Sequence, residues 1–320
     1  AKGLWTAVGS KQGWSSKIDP PQHIYEARKG EKANKVAVLD LQQRRLMDAE
    51  ITRRGIDFMR RQAKAAKPFF AYFSFSLVHF PTKPNPEFAG KTGNGDWADC
   101  LAEMDHHVGQ VLDAVKEMGI EKDTIVIFTS DNGPEAIHPW EGSPGPWRGT
   151  YFTAMEGSLR APFIMTWPGK IPGGRTSNEM VHIVDCFTTL AQAGGAKIPN
   201  DRAIDGVDQM AFFQGKQQHS NRESFPAFVA NRLTAVKWRN WKGHLLWQER
   251  MFDPPQPLPI PKLVNLLVDP REEFDVGPQN DWVAAPLMKV AEEFVKSLKE
   301  YPPIPMGAPD PYVPPRKAGK

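Results

Sequence analysis

The spacing of apolar residues predicts a strand–helix–strand unit in the first half of the chain. Residues 69–78 are almost all apolar or small, as in a strand buried on both faces of a parallel sheet. Apolar positions then recur every three or four residues over 101–118, which predicts an amphipathic helix, and 124–129 form a second apolar run. Because a crossover helix connects the two strands, we predict that they run parallel.

Apolar spacing also predicts the elements on either side of this unit. Helices are predicted over 41–66 and 180–193, and a further strand over 161–167. After about residue 215 the pattern changes to short strands and a closing helix over 282–298. We therefore predict an α/β fold whose predominantly parallel sheet is flanked by helices, followed by a small C-terminal antiparallel α+β subdomain. The short strands of that subdomain are predicted at 227–230, 233–238, 244–247 and 263–268.

These patterns divide the chain into four parts. Residues 1–40 lack sustained periodicity and are predicted to be irregular, whereas 41–218 carry the α/β elements and 219–300 the small subdomain. Residues 301–320 hold seven prolines. We predict an extended tail there, because proline fits neither a helix interior nor a central strand.

Composition and charge exclude several classes of function. Forty Lys and Arg residues against 37 Asp and Glu leave a formal charge of +3 without a basic stripe, so no nucleic-acid partner is indicated. No apolar run reaches the ~18 residues that span a bilayer, so no membrane span is predicted. Two cysteines, Cys100 and Cys186, cannot build a disulfide framework.

Two polar clusters follow the two strands of the predicted parallel unit. His79 comes directly after the first strand, and Asp131 and Asn132 follow the second. Because the carboxyl ends of parallel strands share one edge of a sheet, we expect these side chains to lie close together. Imidazole titrates near neutral pH, and carboxylate plus amide oxygen suits Ca²⁺ or Mg²⁺. The residues alone leave two alternatives open: a hydrogen-bonded structural histidine, and an Asx turn without a metal.

Two arginines border the segment that follows. Arg148 presents a planar donor fork that suits an oxyanion, whereas Arg160 is expected to pair with Glu156. Arg148 is therefore the candidate cation of an anion-binding site. His106 and His107 fall between core positions of the 101–118 helix, so we expect both on its solvent-facing side.

A series of short motifs runs through the chain in a characteristic order. They are His79-Phe80-Pro81 with Pro84, Ile127-Phe128-Thr129-Ser130-Asp131-Asn132-Gly133, Glu156-Gly157-Ser158-Leu159-Arg160-Ala161-Pro162, Trp167-Pro168-Gly169, Val181-His182-Ile183-Val184-Asp185 and Asp269-Pro270-Arg271-Glu272. In this order and spacing they resemble the motifs of type I sulfatases, and arylsulfatases most closely. The resemblance covers roughly residues 41–298 and implies the alkaline-phosphatase-like fold.

The resemblance implies hydrolysis of sulfate esters, with a small molecule or a glycan as the substrate. In this family a formylglycine, made from the Cys or Ser of a Cys/Ser-x-Pro-x-Arg motif, is the nucleophile, and one Ca²⁺ polarises the sulfate. Asp131 and Asn132 match the later pair of calcium ligands, and His79 matches the residue that donates a hydrogen bond or proton to the leaving oxygen. Export is common in the family, so a periplasmic or secreted location is implied without being fixed.

The chain departs from the family pattern in three ways. Neither Cys100 nor Cys186 lies in the nucleophile motif, and the early Asp-Asp pair of the calcium site is absent. The family's sulfate-contacting lysine falls on Tyr151, and Arg148 is our candidate to balance the sulfate charge instead. The chain therefore resembles the carboxyl-terminal portion of a sulfatase, with 1–40 as a remnant of the upstream core, and we expect it to be inactive alone.

The sequence is also compatible with two other functions. One is hydrolysis of phosphate esters, which the same superfamily includes and which an upstream Ser or Thr nucleophile would indicate. The other is a chain without catalytic activity, such as a truncated product or a binding remnant. Two side chains supply only part of the six to eight oxygens that Ca²⁺ takes, which favours this second alternative for the chain alone. The sequence does not indicate an oligomeric state.

Overall fold

The computed structural model describes residues 22–27, 30–138 and 140–303, and the chain divides into two compact units. Among the described residues, the first unit comprises 22–27, 30–120, 137–138 and 140–142, and the second comprises 121–136 and 143–303. From residue 304 onward, the predicted proline-rich tail lies outside the described residues. Over the described ranges, every helix is too short or too polar to cross a membrane.

A short antiparallel hairpin begins the described part of the chain. Strand β1 (His23–Glu26) pairs with strand β2 (Asn34–Val38). The prediction that residues 1–40 are irregular is therefore wrong for this stretch, while residues 1–21 lie outside the described ones. Strands of four and five residues with mostly exposed side chains leave almost no periodic signal in a sequence, which explains the error.

Two long helices make up much of the first unit, and both predictions of a helix are confirmed. Helix α1 (Leu41–Lys64) begins after Asp40, whose carboxylate accepts a hydrogen bond from the Gln43 backbone N–H at 2.7 Å. Helix α2 (Asp96–Glu117) packs against α1. A third segment, residues 69–78, contacts both helices through Phe69 and Phe75.

The segment 69–78 is extended, but it joins no strand ladder within the described structure. Phe69 packs edge-on against Phe58, with ring centroids 5.9 Å apart, whereas Phe70 and Tyr72 are 75% and 80% exposed. The prediction of a strand buried on both faces is thus wrong for one face. An apolar run indicates a preference for burial, but a ladder needs a partner strand that the run does not specify.

His107 is a second correction, because it is buried and does not face solvent. Its Nδ1 lies 3.0 Å from Oε1 of Gln110 and its Nε2 lies 3.4 Å from Oε1 of Glu103. The ring stacks on Phe75. Burial lowers the pKa of His107, but the hydrogen bonds with Glu103 and Gln110 and the nearby carboxylates together outweigh burial and raise it overall. His106 is exposed, as expected.

The first strand pair of the second unit is antiparallel. Strand β3 (Val126–Thr129) pairs with strand β4 (Phe163–Thr166) along its whole length. Among the residues that the structure describes, all strand pairs are antiparallel, so the predicted parallel sheet is not confirmed. The apolar runs located both strands correctly, but they carry no information on which strand lies alongside and in which direction. Three short helices also belong to this unit: α3 (Glu156–Leu159), α4 (Asp185–Ala193) and α5 (Met210–Phe213).

A buried ion pair ties α4 to the segment before the C-terminal sheet. Asp185 is 1% exposed and accepts hydrogen bonds from Nη2 of Arg222 at 2.6 Å and from its Nε at 2.9 Å. The backbone N–H groups of His182 and Val207 also donate to this carboxylate. Burial raises the pKa of Asp185, but these donors outweigh burial and lower it overall.

The predicted antiparallel strands of the C-terminal region and the helix that follows them are confirmed. The sheet contains β5 (Ser224–Val229), β6 (Arg232–Trp238), β7 (Trp241–Trp247) and β8 (Gln256–Asn265), in that spatial order. Helix α6 (Ala284–Glu300) packs on this sheet. The core between them contains Val236, Leu263, Val283, Leu287 and Ala291. Single 3₁₀ turns cover Glu121–Asp123, Gly277–Gln279 and Asp281–Val283.

Arg222→Met is expected to lower the free energy of unfolding by about 3–5 kcal/mol, because the buried Asp185 carboxylate loses its counter-charge. Urea unfolding at pH 7 measures the change. The matched control is Arg202→Met: Arg202 pairs with Asp201 at the surface, where both side chains are more than half exposed, so stability should not change. A similar loss in both variants would contradict the special role of the buried pair.

Candidate active site

His79 lies in the first unit, in the loop that follows the extended segment 69–78. Its Nδ1 is 2.6 Å from the backbone oxygen of Phe80. A carbonyl oxygen only accepts hydrogen bonds, so Nδ1 carries the proton of the neutral ring. Nε2 is then an acceptor in the neutral ring and a donor in the protonated ring. A ring held in this way can pass a proton to a leaving oxygen through Nε2.

Asp131 and Asn132 lie in the second unit, directly after β3. The Asn132 amide nitrogen donates to the backbone oxygen of Gly133 at 2.8 Å, which fixes the amide and leaves its oxygen as the atom able to bind a cation. Asp131 is exposed, and the Ser130 hydroxyl lies 3.5 Å from its Oδ1. His79 belongs to the other unit, so its predicted proximity to this pair stays a prediction.

Asp131 and Asn132 offer the type of ligand atom that binds calcium, but they offer too few ligands for a complete site. Carboxylate and amide oxygens are the ligands that Ca²⁺ prefers, and it takes six to eight of them. Within the described ranges, no group of three or more His, Cys, Asp or Glu side chains is arranged to hold a metal. Asp131 and Asn132 can therefore form part of a calcium shell, and other ligands must complete it.

Neither cysteine fits the formylglycine. Cys100 is fully buried in α2, and burial raises its pKa to about 12. Cys186 lies in α4, and burial raises the pKa of this thiol as well. Both also lie outside the motif that defines the nucleophile. We therefore assign the nucleophile to neither of them.

Two glycines allow the loop after β3 to pack tightly on the start of α3. A side chain at Gly133 would collide with the backbone oxygen of Gly157, and one at Gly157 would collide with the backbone oxygen of Gly149. The Gly133 N–H donates to the Ser158 oxygen at 2.8 Å. Close backbone approach of this kind requires glycine. The Asp131–Asn132 turn is thereby fixed on a buried part of the second unit.

Arg148 is connected to the same loop cluster, and its charge already has a partner. The Gly157 N–H donates to the Arg148 backbone oxygen at 2.7 Å. The guanidinium Nη2 lies 2.8 Å from Oε1 of Glu249, and the group lies over the ring of Trp247. An anion bound by Arg148 would have to compete with Glu249. Tyr151, where the resemblance predicts the lysine of sulfatases, contributes no cation and packs beside Phe152.

The expected pair of Arg160 and Glu156 is confirmed, at 2.7 Å, but it belongs to a larger buried network. Glu156 is fully buried and also pairs with Lys237 at 2.8 Å and with Lys242 at 3.2 Å. Burial raises the pKa of Glu156, but these three cations outweigh it and lower the pKa overall.

Glu272 forms the second half of this network. It is fully buried, and its carboxylate lies 3.0 Å from Lys242 Nζ and 2.6 Å from His244 Nε2. Its other oxygen accepts the Glu156 backbone N–H at 2.6 Å. Its backbone φ of 56° is uncommon for a residue with a side chain.

Sequence reasoning missed Lys242 and His244 as members of this network. Both lie on β7, two positions apart, and therefore point to the same face of the sheet. This alternation was the available signal, but a lysine in a strand is ordinarily read as exposed. Only the packing of Glu156 and Glu272 against that face makes burial of the lysine favourable.

Lys242→Met is expected to destabilise the protein by about 3–5 kcal/mol, because two buried carboxylates then share less counter-charge. Urea unfolding measures the change. Lys289→Met is the matched control, since Lys289 pairs with Glu293 on the exposed side of α6. If the two variants unfold at the same denaturant concentration, the network does not contribute as described.

Acidification below pH 6.5 is expected to destabilise the protein in part through His244. Burial holds the pKa of His244 below its ordinary value, so the unfolded chain takes up this proton first as the pH falls. Stability from this group is fully present above about pH 6.5 and is lost as the pH falls below that value. The free energy of unfolding, measured from pH 7.5 to 5.5, should depend less on pH in His244→Gln; equal slopes would contradict the prediction.

Comparison with known proteins assigns the family. The family model described as Sulfatase matches residues 9–196, which is more than half of the chain. The chain is 38% identical over 204 residues to the steryl-sulfatase of Rattus norvegicus, an alignment that covers 62% of this chain and 35% of the relative. It is 34% identical over 273 residues to the N-acetylgalactosamine-6-sulfatase of Mus musculus, covering 77% and 52% of the two chains.

Solved structures agree with this assignment. The crystal structure of the PsFucS1 sulfatase from Pseudoalteromonas sp. matches with a TM-score of 0.82 and 28% identity, over 88% of this chain and 59% of that one. The chain thus spans between about a third and three fifths of the length of these three proteins. The likeness supports the alkaline-phosphatase-like fold that the sequence predicted. On the match of the family model, this chain belongs to the sulfatase family.

Proposed function

We propose that this chain forms the carboxyl-terminal part of the active site of an enzyme that hydrolyses sulfate esters. The observation that carries the proposal is the Asp131–Asn132 pair, held directly after β3 within the region that matches the family model. The corresponding boundaries are 41–218 for the later half of the α/β domain and 219–300 for the small subdomain. The parallel sheet predicted for that domain stays part of the proposal.

Asp131 and Asn132 would hold part of the coordination shell of one Ca²⁺. When bound, such an ion withdraws electron density from the sulfate oxygens as a Lewis acid. The contribution of this chain is to present one carboxylate and one amide oxygen on a turn that Gly133 holds rigidly. The formylglycine nucleophile is not assigned to any residue described above.

His79 is proposed to assist the departure of the alcohol. As the sulfur–oxygen bond breaks, the protonated ring donates its Nε2 proton to the leaving oxygen, so that an alcohol departs in place of an alkoxide. The Nδ1–H bond to Phe80 keeps the ring orientation fixed during this step. The protonated ring would also place positive charge next to a bound anion.

Arg148 is proposed to balance the charge of the sulfate in place of the family's lysine. Its guanidinium can exchange Glu249 for a sulfate, because both present oxygen atoms that match the planar fork. The relatives are named for steryl sulfate and for N-acetylgalactosamine 6-sulfate. We propose a small-molecule or glycan sulfate ester as the substrate class for this chain.

Asp131→Ala is expected to reduce hydrolysis of 4-nitrophenyl sulfate by at least about a hundredfold, since even indirect support of a metal ligand contributes ten- to hundredfold. The assay uses a sulfatase that carries this chain together with a formylglycine motif. Calcium affinity, measured by titration calorimetry on the same samples, should fall in parallel.

Asp123→Ala is the control, because Asp123 is exposed just before β3 and touches neither proposed ligand. Undiminished turnover in Asp131→Ala would remove Asp131 from the metal site. Faster hydrolysis of 4-nitrophenyl phosphate than of the sulfate would favour the phosphoester alternative. Micromolar calcium binding and turnover by the 320-residue chain alone would contradict the proposal that other ligands and a nucleophile are required.

A further inference from the structure

We propose that Arg44 of α1 is a positioning residue for His79. Asp48, one turn further along the same helix, binds the same loop and helps to fix the loop on α1. The proposal rests on the catalytic role proposed for His79. The side chains of Arg44 and Asp48 reach the segment 76–81, which contains His79, from one face of a long, regular helix. All the groups involved belong to the first unit.

Arg44 binds three backbone oxygens around His79. Its Nη2 donates to the oxygen of Ser76 at 2.7 Å and to that of His79 itself at 2.9 Å, and its Nε donates to the oxygen of Pro81 at 3.2 Å. A planar guanidinium can donate hydrogen bonds to several carbonyl oxygens at once in a fixed geometry. A lysine ammonium on its flexible side chain cannot. The loop therefore has its carbonyls oriented before, at and after the histidine.

Asp48 accepts a hydrogen bond from a backbone N–H of the same loop, whereas Arg44 donates to backbone oxygens. Its Oδ1 accepts the Ser76 backbone N–H at 2.6 Å, and its Oδ2 accepts the Ser76 hydroxyl at 2.7 Å. The carboxylate is 1% exposed. Desolvation raises the pKa of Asp48, while the Ser76 hydrogen bonds and Arg44 counteract this. The loop thus accepts hydrogen bonds from Arg44 and donates hydrogen bonds to Asp48, both on α1.

The backbone next to His79 needs such support. Val78 has a φ of 61°, in the left-handed region that a β-branched residue rarely occupies. Conformations of this kind persist only where the surroundings determine them. The contacts of Arg44 flank this residue on both sides, at Ser76 and at His79. They also fix the chain on either side of Phe80, whose oxygen accepts the His79 Nδ1–H.

The inference predicts that loss of the guanidinium changes the tautomer of His79. With the loop fixed, the Phe80 oxygen holds the proton on Nδ1. With the loop released, the neutral ring should move toward the mixture of tautomers found in free imidazole, in which the Nε2–H form is well populated. This change concerns the ring itself and is separate from any general loss of stability.

The test uses the 320-residue chain with ¹⁵N-labelled histidine and long-range ¹H–¹⁵N correlation spectra at pH 8. His79→Gln identifies the His79 signals. Arg44→Gln should shift them from the Nδ1–H pattern toward the mixed pattern, whereas Arg53→Gln, on the exposed side of α1, should leave them unchanged. An Nδ1–H pattern that persists in folded Arg44→Gln would overturn the inference.

A second variant covers the case in which Arg44→Gln does not fold. Arg44→Lys keeps the charge and loses the fork, and we expect the same shift of the His79 signals; unchanged signals in this folded variant would also overturn the inference. The activity of the enzyme that carries the formylglycine motif distinguishes the positioning role of Arg44 from the catalytic role of His79. A changed tautomer with unchanged kcat for an alkyl sulfate would support the role of Arg44 and remove His79 from catalysis.

Discussion

Two fully buried carboxylates, Glu156 and Glu272, impose the main physical constraint on the second unit. A buried charge is tolerated only when it is paired and hydrogen-bonded, and Lys242 lies between them at 3.2 and 3.0 Å. This requirement ties α3, and with it the loop that carries Arg148, to the face of β7. The position of the candidate anion-binding loop therefore depends on electrostatics in the interior as well as on apolar packing.

The candidate catalytic residues lie on short loops that regular elements hold in place. The Asp131–Asn132 turn is fixed through the contact of Gly133 with the start of α3. The His79 loop is held by hydrogen bonds from α1. Loops are suited to chemistry because they can present polar groups to solvent, and they become precise when a rigid scaffold orients them. Both loops of this chain follow that arrangement, each within its own unit.

Sequence reasoning was most reliable where one element carried its own signal. The apolar spacing of 101–118 and 282–298 predicted α2 and α6, because one face of a helix must be apolar to be buried. It was unreliable where a property depended on a distant partner. Residues 69–78 read as a strand, but no ladder forms there in the described structure, and the run 124–129 pairs antiparallel with β4.

For the site, side-chain type and local order are enough to identify His79, Asp131 and Asn132 and the family that the chain resembles. The surroundings of these residues depend on how the whole chain folds. The hold of Arg44 on the His79 loop spans more than thirty positions, and the contact of Lys242 with Glu156 spans 86. Contacts between residues so far apart in sequence leave no local pattern, because their energy comes from desolvation and charge pairing that exist only once the chain has folded.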